Sequence, residues 1–450
     1  MATATAVVQS LGAMVFLSDY LGVDGLLDTL SYTNAVTLAR IACTSCMGAV
    51  AAHEAQQRPA LCVVKGNLET VKAELREQLA AKPTVVFVQY SLGHNEDEDE
   101  FEAELANFMD QKLPPSTQVL GGSTMSLQCA WFPKNAANSK GVARQTTLDC
   151  RNRFERCEVA LLAATFPEAK ARAYHVMPKG AAKNNTSESD EEYSYSDMED
   201  EDEENLLPDE TQAKGGYGQT TKGGPPAAKT SSEDQLNELL NLEPAPKVVV
   251  VYDADRGSTT ARVISKIQEA YPEAAIVGGV VMGRRVVAKR GQGALSNGRG
   301  VGALAISGNA PLFAMTCPFT GCVKTAEKTV ATCMKSAAEM AAEKCQSILG
   351  ALLFTCNARG SHMFGRDAKD AALFKAQFPR APLMGFYAAG EIGPQVEDGA
   401  EHAFLRGNAC LQGFTAVFGL FLVPSKHMPS AAFQRAMLHG EVQEAFADTR

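Results

Sequence analysis

The stretch KVVVVYD at residues 247–253, followed by a helical segment and then by PEAAIVGG at residues 272–279, decides the fold. The same arrangement occurs in two other places: PTVVFVQY (83–90) leads to PSTQVLGG (115–122), and GALLFTC (350–356) leads to PRAPLMGF (379–386). Pro115 and Gly121, Pro272 and Gly278, and Pro379 and Gly385 share one spacing. A self-similar pattern at this scale describes architecture.

Each copy predicts a strand, a helix and a second strand. The β-branched run at 248–251 is continuous, which is typical of a strand covered on both faces. Val263, Ile264 and Ile267 then form one apolar helical stripe, and the proline ends the helix. We therefore expect an α/β (α+β) fold of repeated units in two mixed β-sheets flanked by helices. A long helix is predicted at 325–349, ending before Gly350.

Composition limits the class of protein. The chain has 450 residues and a formal net charge of −10, but residues 187–204 alone hold 11 acidic side chains, so the rest is close to neutral. No stretch of about 18 apolar residues and no basic leader are present, which predicts a cytoplasmic or nuclear protein that binds neither membrane nor nucleic acid. The 12 cysteines are expected to be free thiols.

Residues 180–233 interrupt the folded pattern with an acidic run and then a Gly-rich run. Such a segment buries too little apolar surface to offset its ordering entropy, so we expect a disordered insertion. Four serines beside acidic residues suit acid-directed phosphorylation: Ser187, Ser189, Ser194 and Ser196. The alternative is a plain solubilising loop.

The N-terminal residues 11–55 are helical and leucine-rich in character. Leucines near residue 30 are followed by the run LARIAC at 38–43, and this spacing resembles an F-box, although its usual Leu-Pro opening and late Trp are missing. The resemblance implies docking on a Skp1-like adaptor through one apolar helix face. The implied contacts are Leu26, Leu30, Leu38 and Ile41. The alternative is a helical cap on the α/β body.

The third copy carries the most specific strings. CNARG (356–360), GFYAAGEIGP (385–394) and GFTAV (413–417) resemble in this order the C-terminal FIST domain, and GGST (121–124) and IVGG (276–279) resemble the N-terminal one. The implied domains are an N-terminal FIST domain at 59–322, holding the insertion, and a C-terminal one at 325–425. A tail follows at 426–450.

FIST domains stand behind an F-box in eukaryotic ubiquitin ligase receptors. The resemblance therefore implies a non-catalytic substrate-recognition subunit of an SCF ligase, with a Skp1-like adaptor, a cullin scaffold and a protein substrate as partners. FIST domains also occur in bacterial signalling proteins that are thought to sense small ligands. The alternative is accordingly a sensor of an amino acid-like ligand.

Candidate substrate- or ligand-binding residues lie in the third copy. The charged side chains Arg359 and Glu391 are flanked by glycines; Arg359 suits a carboxylate or phosphate and Glu391 an amine, unless the two pair with each other. Cys356 is a possible thiol nucleophile or a packed core residue. No hydrolase or P-loop string occurs, and neither cofactor nor metal is expected. The full set is Cys356, Asn357, Arg359, Gly360, Gly390, Glu391, Ile392 and Gly393.

Overall fold

A computed structural model describes the part of the chain that contains all three copies. The described residues are 59–78, 83–92, 97–124, 127–130, 158–177, 232–255, 258–283, 285–291, 293–308, 312–318, 322–365, 368–379, 381–396 and 408–425. The predicted F-box-like module with its four Skp1 contacts, the four serines, residues 180–231 of the insertion and the tail at 426–450 lie outside them.

Strands and helices alternate along the described residues. The first half contains β1 (Ala60–Gly66), α1 (Leu68–Gln78), β2 (Val85–Ser91), α2 (Glu98–Lys112), β3 (Gln118–Ser123), β4 (Leu127–Ala130), β5 (Glu158–Thr165), β6 (Ala169–Val176) and α3 (Ser232–Leu240). The middle contains β7 (Val248–Asp253), α4 (Ser258–Ala270), β8 (Ala275–Val280), β9 (Val286–Lys289), β10 (Ser296–Gly298), β11 (Val301–Gly308) and β12 (Leu312–Cys317). The last part contains α5 (Val323–Glu343), β13 (Gln346–Cys356), a 3-10 turn (Asn357–Arg359), α6 (Ser361–Phe364), α7 (Lys369–Gln377), β14 (Leu383–Ala388), β15 (Glu391–Pro394), β16 (Ala409–Gln412) and β17 (Ala416–Pro424).

The three sequence copies build three mixed sheets. Each copy supplies the parallel pair of one sheet: β2 with β3, β7 with β8, and β13 with β14. The orders are β1-β5-β2-β3-β9-β10, β6-β11-β7-β8-β15-β16 and β12-β17-β13-β14-β4. The α/β class and the strand–helix–strand units are confirmed. The predicted number of two sheets is wrong, because every copy pairs within itself and so starts its own sheet.

The sheets are linked by exchanged strands. After the first copy β4 joins the third sheet, after the second copy β9 and β10 join the first sheet, and after the third copy β15 and β16 join the second sheet. Each unit thus gives strands to one of the other two units and receives strands from the other.

The predicted boundary between an N-terminal and a C-terminal FIST domain, placed between residues 322 and 325, stays a prediction. The strands β4 and β14, which lie on either side of it in sequence, pair directly.

Apolar side chains from all three sheets share one central core. A separate outer core lies between each sheet and its own helices: α1 and α2 on the first, α3 and α4 on the second, α5 and α7 on the third. Gln89, Tyr252 and Phe354 occupy equivalent positions in the three units. The Gln89 amide nitrogen lies 3.0 Å from the Tyr252 hydroxyl, and the Tyr252 and Phe354 rings meet edge to face at 5.8 Å.

The repeated glycine has a steric reason. A Cβ at Gly278 would lie 1.8 Å from the carbonyl oxygen of Val251, its partner across the parallel pair. The equivalent distances are 2.2 Å at Gly121 and 2.1 Å at Gly385. Only glycine permits this backbone approach, which explains why glycine recurs at this position in all three copies.

The long helix ends earlier than its apolar stripe suggests. α5 stops at Glu343, Cys345 takes a left-handed backbone (φ 53°), and β13 begins at Gln346. The predicted helix at 325–349 is therefore wrong at its carboxyl end, because Ile348 belongs to a buried strand rather than to the helical stripe.

Among the described residues, no helix has the length and apolarity needed to cross a bilayer.

Candidate ligand site in the third unit

The candidate residues meet where β13 and β14 end. The 3-10 turn with Arg359 follows β13, β15 opens with Glu391 shortly after β14, and the 413–415 turn enters β17 beside them. The backbone N–H of Cys356 donates to the Thr415 carbonyl at 3.0 Å and ties the first and last of these segments together. The carboxyl ends of parallel strands are where α/β proteins commonly bind ligands.

Arg359 is a buried structural cation. Its Nε and Nη2 donate to the two carboxylate oxygens of Asp370 at 3.0 and 2.8 Å, and Nη1 donates to the Phe414 carbonyl at 3.2 Å. Its guanidinium also lies 5.4 Å from the centre of the Phe364 ring. Burial alone would lower the pKa of Arg359, but the Asp370 carboxylate outweighs it and raises that pKa. The expected alternative partner, Glu391, is thus replaced by Asp370.

Glu391 is fully buried with only one of its carboxyl oxygens occupied. Oε2 accepts from the Thr415 backbone N–H at 3.1 Å and from its hydroxyl at 2.8 Å, whereas Oε1 has no hydrogen-bond partner. Burial raises the pKa of Glu391 to about 8, although Thr415 and Arg359 act in the opposite direction. A buried polar atom without a partner is rare enough to require an explanation.

Cys356 is half-buried next to this carboxyl group. Burial first, and then the Glu391 charge, raise the pKa of the Cys356 thiol; the backbone N–H groups of Ala358 and Phe414 and the cation of Arg359 only partly offset this. The thiol is therefore protonated at neutral pH. That protonation state disfavours the nucleophile interpretation, because the thiolate is the reactive form.

The other predicted residues are placed less favourably for ligand contact. Ile392 points into the outer core of the second sheet, and Asn357 and Gly360 bracket Arg359 in the 3-10 turn and at its end. A Cβ on Gly390 would lie 2.9 Å from a Leu411 methyl carbon, and one on Gly393 would lie 2.6 Å from a Val417 methyl carbon. The space beside these two glycines is therefore filled by the protein itself.

The fold brings in three side chains that sequence reasoning missed. Asp370 lies in the charged run RDAKD (366–370), which is typical of a solvated helix start, so nothing in the sequence indicates its burial. Thr415 and Phe414 lie inside the GFTAV string that was used only for the resemblance. That string was a usable signal, since its turn supplies both hydrogen bonds that the Glu391 carboxyl group accepts.

Comparison of the three units singles out Glu391. It stands opposite Gly279 on β8; the equivalent positions are Val286, opposite Gly122 on β3, and Leu127, opposite Phe386 on β14. Two units thus place an apolar side chain where the third has a carboxyl group. A local departure of this kind, with one carboxyl oxygen left without a hydrogen-bond partner, is expected at functional sites.

Within the part of the chain that the structure covers, no group of three or more His, Cys, Asp or Glu side chains is arranged to hold a metal ion. The cluster that remains has one cation with a hydrogen bond from each of its three nitrogens, one carboxyl group with an oxygen that lacks a hydrogen-bond partner, and one half-buried thiol. This cluster is suited to binding a hydrogen-bond donor or a cation at the Glu391 carboxyl group.

Comparison with known proteins matches residues 249–394 to the FIST C domain, a domain linked to sensing in signal transduction. An uncharacterized protein of Mycobacterium bovis is 47% identical over 73 residues, 16% of each chain. An uncharacterized protein of Mycobacterium tuberculosis is 45% identical over 74 residues, 16% of this chain and 17% of the other. The chain thus spans about a sixth of the length of the curated relatives it matches. No F-box and no FIST N domain is detected.

The FIST C match begins in β7, inside the range predicted for the N-terminal FIST domain, and ends with β15. It therefore covers the parallel pairs of the second and third units. The chain contains a FIST C domain at residues 249–394, and both Arg359 and Glu391 lie within it.

Proposed function

We propose that this chain is a non-catalytic receptor whose FIST C domain binds a small amine-bearing, amino acid-like ligand at Glu391. The observation that carries the proposal is the buried Oε1 of Glu391, which lacks a hydrogen-bond partner while Oε2 is fixed by Thr415. An ammonium group supplies both a hydrogen-bond donor and the positive charge that favours the ionised carboxylate.

The rest of the cluster orients the ligand rather than reacting with it. Each guanidinium nitrogen of Arg359 already donates to Asp370 or to the Phe414 carbonyl, so its role is to position the 413–415 turn. Cys356 and Phe414 are the members of the cluster that reach solvent. They mark the side from which a ligand approaches.

A thermal-shift screen of the full chain tests the ligand proposal. The probes are free amino acids and simple primary amines, each compared with its N-acetylated form, which cannot offer an ammonium group. We expect at least one free amine to raise the melting temperature of the wild type and to have no effect on Glu391→Gln. Equal stabilisation by acetylated and free forms, or an unchanged response in Glu391→Gln, would contradict the assignment of the amine to Glu391.

A second candidate function is that of a substrate-recognition subunit of an SCF ubiquitin ligase, with the FIST region capturing a protein substrate for degradation. The leucine-rich N-terminal spacing around Leu26, Leu30, Leu38 and Ile41, ahead of a FIST C domain, favours it. A Skp1-like adaptor and a cullin scaffold would then be partners in the cytoplasm or nucleus. The two functions are compatible, since a ligand site can regulate substrate capture.

Co-purification tests the ligase proposal. The full chain is expected to retain a purified Skp1-like adaptor, and a variant lacking residues 1–55 is expected to lose it. A matched variant, Leu30→Asp with Leu38→Asp, keeps the length of the chain and should lose the adaptor as well. Retention of the adaptor by both variants would reject this function.

A further inference from the structure

The 413–415 turn holds an aromatic side chain in solvent with an unfavourable backbone. Phe414 is 58% exposed, and its φ of 57° lies in the left-handed region. A bulky residue adopts that region only when its surroundings impose it. The contacts around the turn must therefore supply the free energy that keeps Phe414 in place.

Two buried charged side chains supply those contacts. Arg359 donates to the carbonyl of Phe414 itself, and Glu391 accepts from the backbone N–H and the hydroxyl of the next residue, Thr415. Arg359 is fixed in turn by its two bonds to Asp370. Arg359 stays protonated, so the strength of its hydrogen bond to the turn is fixed. The hydrogen bonds to Glu391 can change in strength, because its carboxyl group can gain or lose a proton.

We propose that the 413–415 turn has a held and a released arrangement, and that the charge state of Glu391 selects between them. Hydrogen bonds to an ionised carboxylate are roughly twice as strong as those to a neutral group. The ionised form therefore holds the turn, and the neutral form lets the strained backbone of Phe414 relax. This inference rests on the proposed ligand site, because a cationic ligand at Oε1 favours the ionised, held arrangement.

The groups that face Glu391 are consistent with such a switch. Arg359 favours the ionised carboxylate and Asp370 opposes it, and Cys356 remains a neutral thiol. The pKa of Glu391, raised by burial to about 8, lies where both forms are populated under ordinary conditions. Leu411, 40% exposed, lies three positions before Phe414, so a second exposed apolar side chain precedes the turn.

A tryptophan reporter tests the switch without any ligand. The single tryptophan of the chain, Trp131, lies outside the described residues and is replaced by Phe; Phe414→Trp then provides the only tryptophan emission. We expect the fluorescence anisotropy of Trp at position 414 to rise with pH, with a midpoint near 8. Circular dichroism over the same range monitors whether the fold is unchanged.

Two controls make the result decisive. Adding Glu391→Gln should abolish the step and leave the low anisotropy of the released turn at every pH. A reporter at Met177→Trp should show no step, because Met177 is 37% exposed and directly follows β6, the edge strand of the second sheet opposite to β16. An identical step in the Glu391→Gln background, or no step in a chain that stays folded, would overturn the switch. A positive amine screen without a pH step would retain the ligand site and reject the switch alone.

Discussion

Replacing Asp370 by Asn should destabilise the protein by about 3–5 kcal/mol, the usual cost of leaving one partner of a buried ion pair uncompensated. Both side chains are almost completely inaccessible, 0% and 1% exposed, and the pair is bidentate. Asn keeps the shape of Asp370 but removes the charge. Arg359 cannot compensate by losing its proton, because its pKa is raised above an already high value.

Urea denaturation followed by circular dichroism measures the effect, and a double-mutant cycle isolates it. The cycle compares the double variant Arg359→Met with Asp370→Leu against each of these two changes alone. The double variant should be much less destabilised than the sum of the two single changes, since removing both charges leaves none buried alone. The control is Glu339→Gln, which breaks the exposed pair with Lys335 at 3.8 Å and should cost less than about 0.5 kcal/mol. A cost below about 1 kcal/mol for Asp370→Asn, or strict additivity of the two single changes, would refute the structural role assigned to Arg359.

Three further outcomes follow from the same structure. Gly278→Ala places a Cβ 1.8 Å from the Val251 carbonyl oxygen and should lower the free energy of unfolding, measured with urea, by more than about 3 kcal/mol. The control Gly413→Ala, with no atom within 4 Å of its Cβ, should lower it by less than about 1 kcal/mol. Similar losses in the two variants would contradict the close-approach argument. Gln128 is buried, and neither its amide nitrogen nor its amide oxygen has a hydrogen-bond partner. It occupies the position equivalent to Ile392 and Val287, so Gln128→Ile should raise the free energy of unfolding by about 1–3 kcal/mol. A decrease would mean that the amide is hydrogen-bonded in solution. Because the folded-state pKa of Glu391 is raised, the folded chain binds more protons than the unfolded chain between pH 4.5 and about 8. This group should therefore lower the free energy of unfolding as pH rises through that window, by up to about 1.4 kcal/mol per pH unit. An equally steep fall in Glu391→Gln would assign the slope to other groups.

Local sequence chemistry predicts the units of this fold but not their assembly. Buried β-branched runs, an apolar helix stripe and a proline placed six residues before a glycine are enough to define each parallel pair. The exchange of β4, β9 and β15 between sheets depends on contacts far apart along the chain, which no short pattern encodes. For that reason the sequence predicts two sheets where the structure has three.

The candidate site shows the same division. Arg359 and Glu391 are visible in the sequence because glycines surround them in specific strings. Their partners are not, because Asp370 reaches Arg359 from another helix and Thr415 reaches Glu391 from a turn 24 residues further along the chain. The roles of the two charged residues differ for this reason: every nitrogen of Arg359 has a hydrogen-bond partner, and one oxygen of Glu391 has none.

Direct titration of the Glu391 carboxyl group tests the central claim, that the third unit keeps an unsatisfied carboxyl group ready for a cationic partner. The side-chain carboxyl carbon is followed by ¹³C NMR in full-length protein labelled at glutamate, and its signal is assigned by its absence in Glu391→Gln. We predict a titration midpoint near pH 8 in the ligand-free chain. A midpoint near the ordinary 4.5 would show that the carboxylate is already satisfied, and the ligand site would then have to be abandoned.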